Sequence, residues 1–145
     1  METVSTRGKE LPGSDGRLMN PGHAIEAGWF LIQHACEIGN QDLLKTAINN
    51  FTMIPFETGW DKKYGGLYYF LDVDGFSPTQ LEWNMKLYWP HNEALIAFLM
   101  AYRVNVNEIY FENFQFEFDY SVSHVSIKPF SKGHIKGYRS KSKLN

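Results

Sequence analysis

The segment that begins at Asn20 constrains the fold most strongly, because a clear helix start is followed there by a long apolar run. Asn20 is a good helix cap, and Pro21 suits the first turn, where its missing N–H costs no hydrogen bond. Between residues 24 and 32 the only charged side chain is that of Glu26. The segment therefore predicts a helix from Pro21 to about Glu37 that is apolar nearly all round and lies inside the protein.

A second helix is predicted after a tight turn at Gly39-Asn40, where a helix stop is followed at once by a new cap. Its apolar residues recur on one face, as in an ordinary surface helix: Leu43, Leu44, Ala47, Ile48 and Phe51. An inner helix joined to an amphipathic one makes an αα-hairpin, and such hairpins stack into solenoids and closed α/α barrels. Pro90 begins another apolar run, which extends to Met100 and predicts a second inner helix.

The stretch between these helices gives conflicting signals. Residues 54–66 contain several helix and strand breakers and are predicted to form a loop. Apolar and polar residues alternate over residues 81–89, which favours a strand, although a capping-box spacing at its start favours a helix. We give the alternation more weight and predict an inserted β-hairpin of Leu67–Val73 with Glu82–Tyr88.

Composition and charge argue against several classes of protein. A chain of 145 residues with 43% apolar content is expected to form one domain with a core. The net charge of −2 argues against a broad nucleic-acid footprint, and the longest apolar run, residues 94–102, is too short to span a membrane. The single cysteine, Cys36, and a polar N-terminus without a signal-peptide pattern lead us to expect a cytoplasmic location, with no nucleic-acid or membrane partner.

The distribution of apolar and polar residues along the chain changes from Arg103 onward. Residues 105–120 alternate aromatic with polar side chains and favour neither a strand nor a helix. Every charged residue from Lys128 to the end is basic, which is typical of a solvated or disordered tail. We therefore predict a partial barrel domain over residues 1–102 and a divergent tail over residues 103–145 that need not be ordered.

His23 and Glu26 are the strongest candidates for chemistry. They lie three residues apart and so share one face of the first turn of the apolar helix. An imidazole and a carboxylate at the dry end of a buried helix are costly unless they are well bonded or have a chemical role. Three interpretations remain open: an acid/base pair, two ligands of a zinc site without other recognisable ligands, and a structural histidine bonded to the helix end.

The start of the second inner helix repeats this arrangement. Trp89, His91 and Glu93 place an aromatic ring, an imidazole and a carboxylate in its first turn. Two such inner helices would converge on one pocket. In that pocket Trp89 would stack on the apolar face of a sugar ring; the alternative is that it simply packs in the core.

Six motifs carry a family resemblance: Pro21–Leu31, Pro55-Phe56, Gly59-Trp60-Asp61, Gly65–Phe70, Pro78–Trp83 and Trp89–Ala94. They closely resemble the N-acylglucosamine 2-epimerase family, whose members are also called renin-binding proteins. The resemblance extends from about Gly8 to Tyr102 without an obvious gap.

The resemblance implies a mostly α fold, a partial (α/α)6 barrel built of αα-hairpins, of which this chain is the C-terminal portion. It implies a homodimer that interconverts N-acetylglucosamine and N-acetylmannosamine by proton transfer at carbon 2, a reaction that feeds sialic acid metabolism. It also implies that ATP or a related nucleotide acts as an activator, and that the chemistry itself needs no cofactor or metal. His23 matches a family histidine that acts as acid or base, and Glu26 matches the carboxylate beside it. Trp89 and His91 match the wall of the sugar pocket.

The resemblance is expected to end after Tyr102, where the family's second catalytic histidine has no clear equivalent; His134 stands at the wrong spacing. We therefore expect an incomplete barrel with exposed apolar flanks that is marginally stable alone and weakly active or inactive. The alternative function is a non-catalytic truncated variant that binds or regulates a full-length epimerase. A sister activity on another sugar is a third reading.

Overall fold

A computed structural model describes residues 2–124 of the chain. Two short strands are present, β1 (Leu18–Met19) and β2 (Leu71–Asp72). The α-helices in chain order are α1 (Gly13–Arg17), α2 (Pro21–Ile38), α3 (Gln41–Thr46), α4 (Ile54–Gly59), α5 (Tyr88–Asn105) and α6 (Glu108–His124). A π-helix, Ala47–Met53, joins α3 directly to α4.

Helix α2 begins and ends where its local chemistry predicts. The Asn20 side chain accepts a hydrogen bond from the backbone N–H of His23 at 3.1 Å, which satisfies one of the free donors of the first turn. Gly39 ends the helix with a φ of 68°, in the left-handed region that a residue without Cβ adopts at no steric cost. The predicted helix and both of its caps are therefore confirmed. Its burial is one-sided, however, because Phe30 on the opposite face is 54% exposed within the described structure.

The outer arm of this first hairpin stays helical through to Gly59, so the loop predicted from residue 54 is wrong over its first six residues. The reason lies at Pro55, which has no N–H and would collide with the carbonyl four residues earlier in a continuous α-helix. Just before it, the N–H of Ile54 bonds to the carbonyl of Asn49, five residues back. This wider π-type turn lets the helix continue past the proline.

The core lies where α2 packs against α5 on one side and against the π-helix on the other, while α6 covers the far side of α5. Gly28 permits the second of these approaches, because a Cβ at this position would lie only 2.8 Å from the carbonyl oxygen of Phe51. Buried side chains form two clusters, one with Ile32, Ala35, Leu44, Ala47, Ile48, Ala101 and Tyr110. The other contains Ile25, Phe56, Leu67, Ala94, Ala97 and Phe98.

The predicted β-hairpin between residues 67 and 88 is wrong. Strand β2 pairs antiparallel with β1, and Leu71 lies opposite Met19. Residues 81–84 form turns, and Tyr88 already belongs to α5. The alternating apolar side chains do not share a buried sheet face: Leu81 is 94% exposed and Met85 51% exposed, so period-two patterning here reflects a loop rather than a strand.

The region after Arg103 contains a helix that the sequence does not predict clearly. Helix α6 packs along α5 and buries two of its side chains, Tyr110 and Glu117. The rest of the predicted tail, residues 125–145, lies outside the described residues. The division of the chain at residue 102 stays a prediction.

Candidate active site

The His23 side chain stands in the first turn of α2 and contacts α5. Its ring centroid lies 5.1 Å from that of Trp89, with the two planes tilted by 32°. Tyr69 in turn meets Trp89 edge-on at 6.4 Å. The side chain of His23 is 52% exposed, so this end of the helix is accessible rather than dry as the sequence suggests. An accessible imidazole beside an indole ring is a suitable arrangement for a group that reacts with a small polar molecule.

The close approach of the two inner helices at this point depends on Gly22. A Cβ there would lie 2.7 Å from the indole ring of Trp89 and 2.9 Å from Pro90. Neither group is free to move far, because Pro90 is fully buried and Trp89 belongs to the first turn of α5. The Pro21-Gly22-His23 sequence therefore both starts α2 and places the imidazole against the second inner helix.

The carboxylate that contacts His23 is that of Glu2. Its Oε2 atom lies 2.8 Å from Nδ1 of the ring, and its Oε1 atom accepts a hydrogen bond from the backbone N–H of Asn20 at 3.0 Å. The backbone of Glu2 is fixed as well, because its N–H donates to the carbonyl of Leu18 in β1. Nothing in the sequence signals this contact, since the two residues are 21 positions apart and Glu2 lies in an irregular segment.

Glu26 and Glu93 differ in their surroundings. Glu26 is partly exposed one turn after His23 on α2, and its predicted contact with substrate stays a prediction. Glu93 accepts a hydrogen bond from Nε1 of Trp29 at 2.6 Å, which ties the two inner helices together. The carboxylate of Glu93 is therefore engaged in a structural hydrogen bond between the two helices.

His91 is placed differently from His23. It is fully buried, and its Nδ1 atom lies 2.5 Å from Oε1 of Glu117 on α6, which is also fully buried. The hydroxyl of Ser121 donates to the same carboxylate oxygen at 3.0 Å. The rings of Tyr120 and Trp60 pack around the imidazole at 5.1 and 6.3 Å. The structure thus brings His23 and Trp89 together but encloses His91 in the α5–α6 interface, and its role toward a sugar stays a prediction.

A second buried polar group, centred on Asp61, lies next to this interface. Burial alone raises the pKa of Asp61, but hydrogen bonds from the backbone N–H groups of Lys63 and Tyr64 and from the side chains of Lys86 and Tyr68 outweigh it and lower the pKa to about 2. The Nζ atom of Lys86 lies 3.1 Å from Oδ2 of Asp61 and 3.4 Å from the centre of the Tyr68 ring. Burial lowers the pKa of Lys86, and Asp61 partly offsets that effect. The hydrogen bonds and the ion pair around Asp61 therefore hold the loop between α4 and α5 in place.

Across residues 2–124 no three His, Cys, Asp or Glu side chains come close enough together to hold a metal ion. Within the same range no helix has the length and apolar character needed to cross a membrane.

Inner helices α2 and α5, each followed by an outer helical arm, form part of an (α/α)6 barrel. The sequence model of the N-acylglucosamine 2-epimerase (GlcNAc 2-epimerase) family matches residues 6–134. The chain therefore belongs to the N-acylglucosamine 2-epimerase family. The match extends well beyond Tyr102, where the resemblance was expected to end, and so includes the whole of α6.

Individual relatives agree with this assignment. N-acylglucosamine 2-epimerase from Rattus norvegicus is 59% identical over 103 residues, which are 71% of this chain and 25% of the relative. The Homo sapiens protein is 58% identical over 102 residues, 70% of this chain and 24% of the relative. A crystal structure of D-mannose isomerase superposes with a TM-score of 0.64 at 24% identity, over 73% of this chain and 26% of the other, which shows a shared fold. The chain spans about a quarter of the length of the curated relatives it matches.

Proposed function

We propose that this chain contributes to a sugar epimerase that interconverts N-acetylglucosamine and N-acetylmannosamine by proton transfer at carbon 2. The observation that carries the proposal is the His23 imidazole, held between Glu2 and Trp89 at the accessible end of an inner helix. Membership of the family and relatives named N-acylglucosamine 2-epimerase support the substrate class.

The chemistry proceeds on the open-chain sugar. His23 takes the proton from carbon 2, and the electrons of that C–H bond move toward the neighbouring carbonyl to give an enediolate-like intermediate. A proton returned to the opposite face gives the epimer, so the net reaction consumes nothing. Two acid/base groups on opposite sides of carbon 2 are required, and His23 supplies one of them. Trp89 stacks on the sugar and Glu26 contacts it, while His91, enclosed in the α5–α6 interface, supports the pocket wall from behind.

The remaining expectations belong to the same proposal. ATP or a related nucleotide acts as an activator and contributes no atoms to the reaction. The working unit is a homodimer, or an assembly of this chain with a full-length epimerase. The reaction takes place in the cytoplasm, which suits an exposed and unpaired Cys36.

Deuterium incorporation tests the proposal directly. The chain is incubated with N-acetylmannosamine and ATP in D₂O, and we expect deuterium at carbon 2 of the product. His23→Ala should abolish both conversion and exchange, whereas His34→Gln, an exposed histidine on the same helix, should leave both unchanged. Exchange that survives His23→Ala would refute the role of His23. No turnover by this chain, together with stable association with a full-length epimerase, would instead favour the non-catalytic variant.

A further inference from the structure

The contact between Glu2 and His23 restricts which ring nitrogen carries a proton. A carboxylate oxygen only accepts hydrogen bonds, so Nδ1 must be the donor across the 2.8 Å contact. A neutral imidazole has one N–H, and with that hydrogen on Nδ1 the lone pair is on Nε2. Trp89 lies against one side of the half-exposed ring, and within the described residues Nε2 makes no hydrogen bond.

We infer that Glu2 is a positioning residue that holds His23 in the Nδ1–H tautomer, so that Nε2 is the atom that exchanges protons with the substrate. The inference rests on the proposed function and deepens it. When Nε2 receives a proton the ring becomes a cation, and the carboxylate already bonded to its other edge stabilises that charge without rearrangement. Glu2 therefore acts through His23 and needs no contact with the sugar.

The position of Glu2 is set by backbone structure rather than by side-chain packing alone. Its N–H donates to the carbonyl of Leu18 at 2.8 Å, and Leu18 belongs to β1, which pairs with β2. The Nε atom of Arg17 bonds both oxygens of Asp72 at 3.0–3.1 Å and reinforces that pairing. The second oxygen of Glu2 is held by the N–H of Asn20, the cap of α2. One carboxylate thus links the start of the helix to its reactive side chain.

A Glu2→Gln substitution is the most informative test. The amide oxygen can still accept the hydrogen bond from Asn20, so the helix start is preserved, but the amide NH₂ now faces Nδ1 and donates to it. The ring must then carry its hydrogen on Nε2, which is the inverted tautomer. NMR of the full chain labelled with ¹⁵N-histidine reads the tautomer directly, and the His23 signal is assigned by its loss in His23→Gln.

We expect the Nδ1–H form in the wild-type chain and the Nε2–H form in Glu2→Gln, with the amide signals of α2 unchanged. For deuterium exchange at carbon 2, the kcat of Glu2→Gln should be about 10–100-fold below that of the wild type, with little change in KM. The reason is that the substitution disturbs the tautomer and orientation of the His23 ring but not the binding of the sugar. Glu10→Gln, an exposed carboxylate in the same segment, is the matched control and should alter neither readout.

An Nε2–H tautomer in the wild-type chain, or an Nδ1–H tautomer that persists in Glu2→Gln, overturns the inference. A normal kcat in a variant with an inverted tautomer overturns it as well. If the wild-type chain exchanges no deuterium, the proposed function fails, but the NMR comparison still decides whether Glu2 sets the tautomer. The two failures are therefore distinguishable.

Discussion

Replacing Glu117 by alanine should destabilise the chain by about 3–5 kcal/mol, because it leaves a cavity in the α5–α6 interface and a buried imidazole without its hydrogen-bond partner. Glu117 and His91 are both fully buried, and their 2.5 Å hydrogen bond is the shortest side-chain hydrogen bond that joins α6 to α5 in the described structure. The substitution also removes the acceptor of Ser121 and leaves the imidazole without its partner in a region that water does not reach. With a urea dependence of about 2 kcal/mol per M, the unfolding midpoint should fall by about 2 M.

Equilibrium urea unfolding, followed by tryptophan fluorescence, measures this change, and three further variants make the result specific. Glu117→Gln keeps an oxygen for Nδ1 of His91 and should cost only about 1–2 kcal/mol. Replacing both His91 and Glu117 by leucine should recover most of the loss, because neither member of the buried pair is then left without the other. Glu112→Ala, exposed on the same helix, should stay within about 0.5 kcal/mol of the wild type. A Glu117→Ala chain as stable as the Glu112→Ala control would refute the reasoning.

Two other perturbations test the packing and the electrostatics. Gly22→Ala should lower the free energy of unfolding by about 1–3 kcal/mol and displace the indole of Trp89, because the new Cβ would lie 2.7 Å from that ring. A thermal melt measures the loss of stability, and tryptophan fluorescence reports the displacement. An unchanged fluorescence spectrum would contradict the prediction. Asp61, with its pKa lowered from 3.8 to about 2, contributes stability that is complete above about pH 5 and is lost as the pH falls toward 2. The partial exposure of its partner Lys86 to solvent limits that contribution to about 1–2 kcal/mol. Asp61→Asn should therefore flatten the loss of stability between pH 5 and pH 2, whereas Asp119→Asn on the exposed face of α6 should not.

Local chemistry allowed the sequence to predict the inner helices well. The start of α2 at Asn20-Pro21 and its end at Gly39 depend on neighbouring residues only, so the caps can be read directly from the chain. The same applies to the apolar run of α5, although the helix begins at Tyr88, two residues before Pro90. Patterning failed in the loop before α5, where exposed Leu81 and Met85 imitate the alternation of a strand.

The carboxylates that contact His23 and His91 could not be predicted, because each of these two contacts joins residues that are far apart in the sequence. Glu2 and His23 are separated by 21 positions, and His91 and Glu117 by 26. Periodicity reports which face of one element is buried, but it does not report which side chain of another element arrives there. The sequence indicates Glu26 as the partner of His23 because it lies one turn away on the same helix. In the tertiary structure, however, Glu2 contacts His23 instead.

The π-type turn at Ala47–Met53 also determines which changes of length this hairpin arm can accept during evolution. A π-type turn holds one residue more than an α-turn, so the segment resembles the trace of a single-residue insertion that was retained. Deleting one residue there, such as the exposed Asn50, would restore an α-turn and leave the downstream residues in phase. Phe56 would keep its edge-to-face contact with Phe98 at 4.7 Å, but Pro55 would then meet the carbonyl four residues earlier that the wider turn avoids. The proline, rather than the packing of the arm, therefore makes the extra residue necessary here.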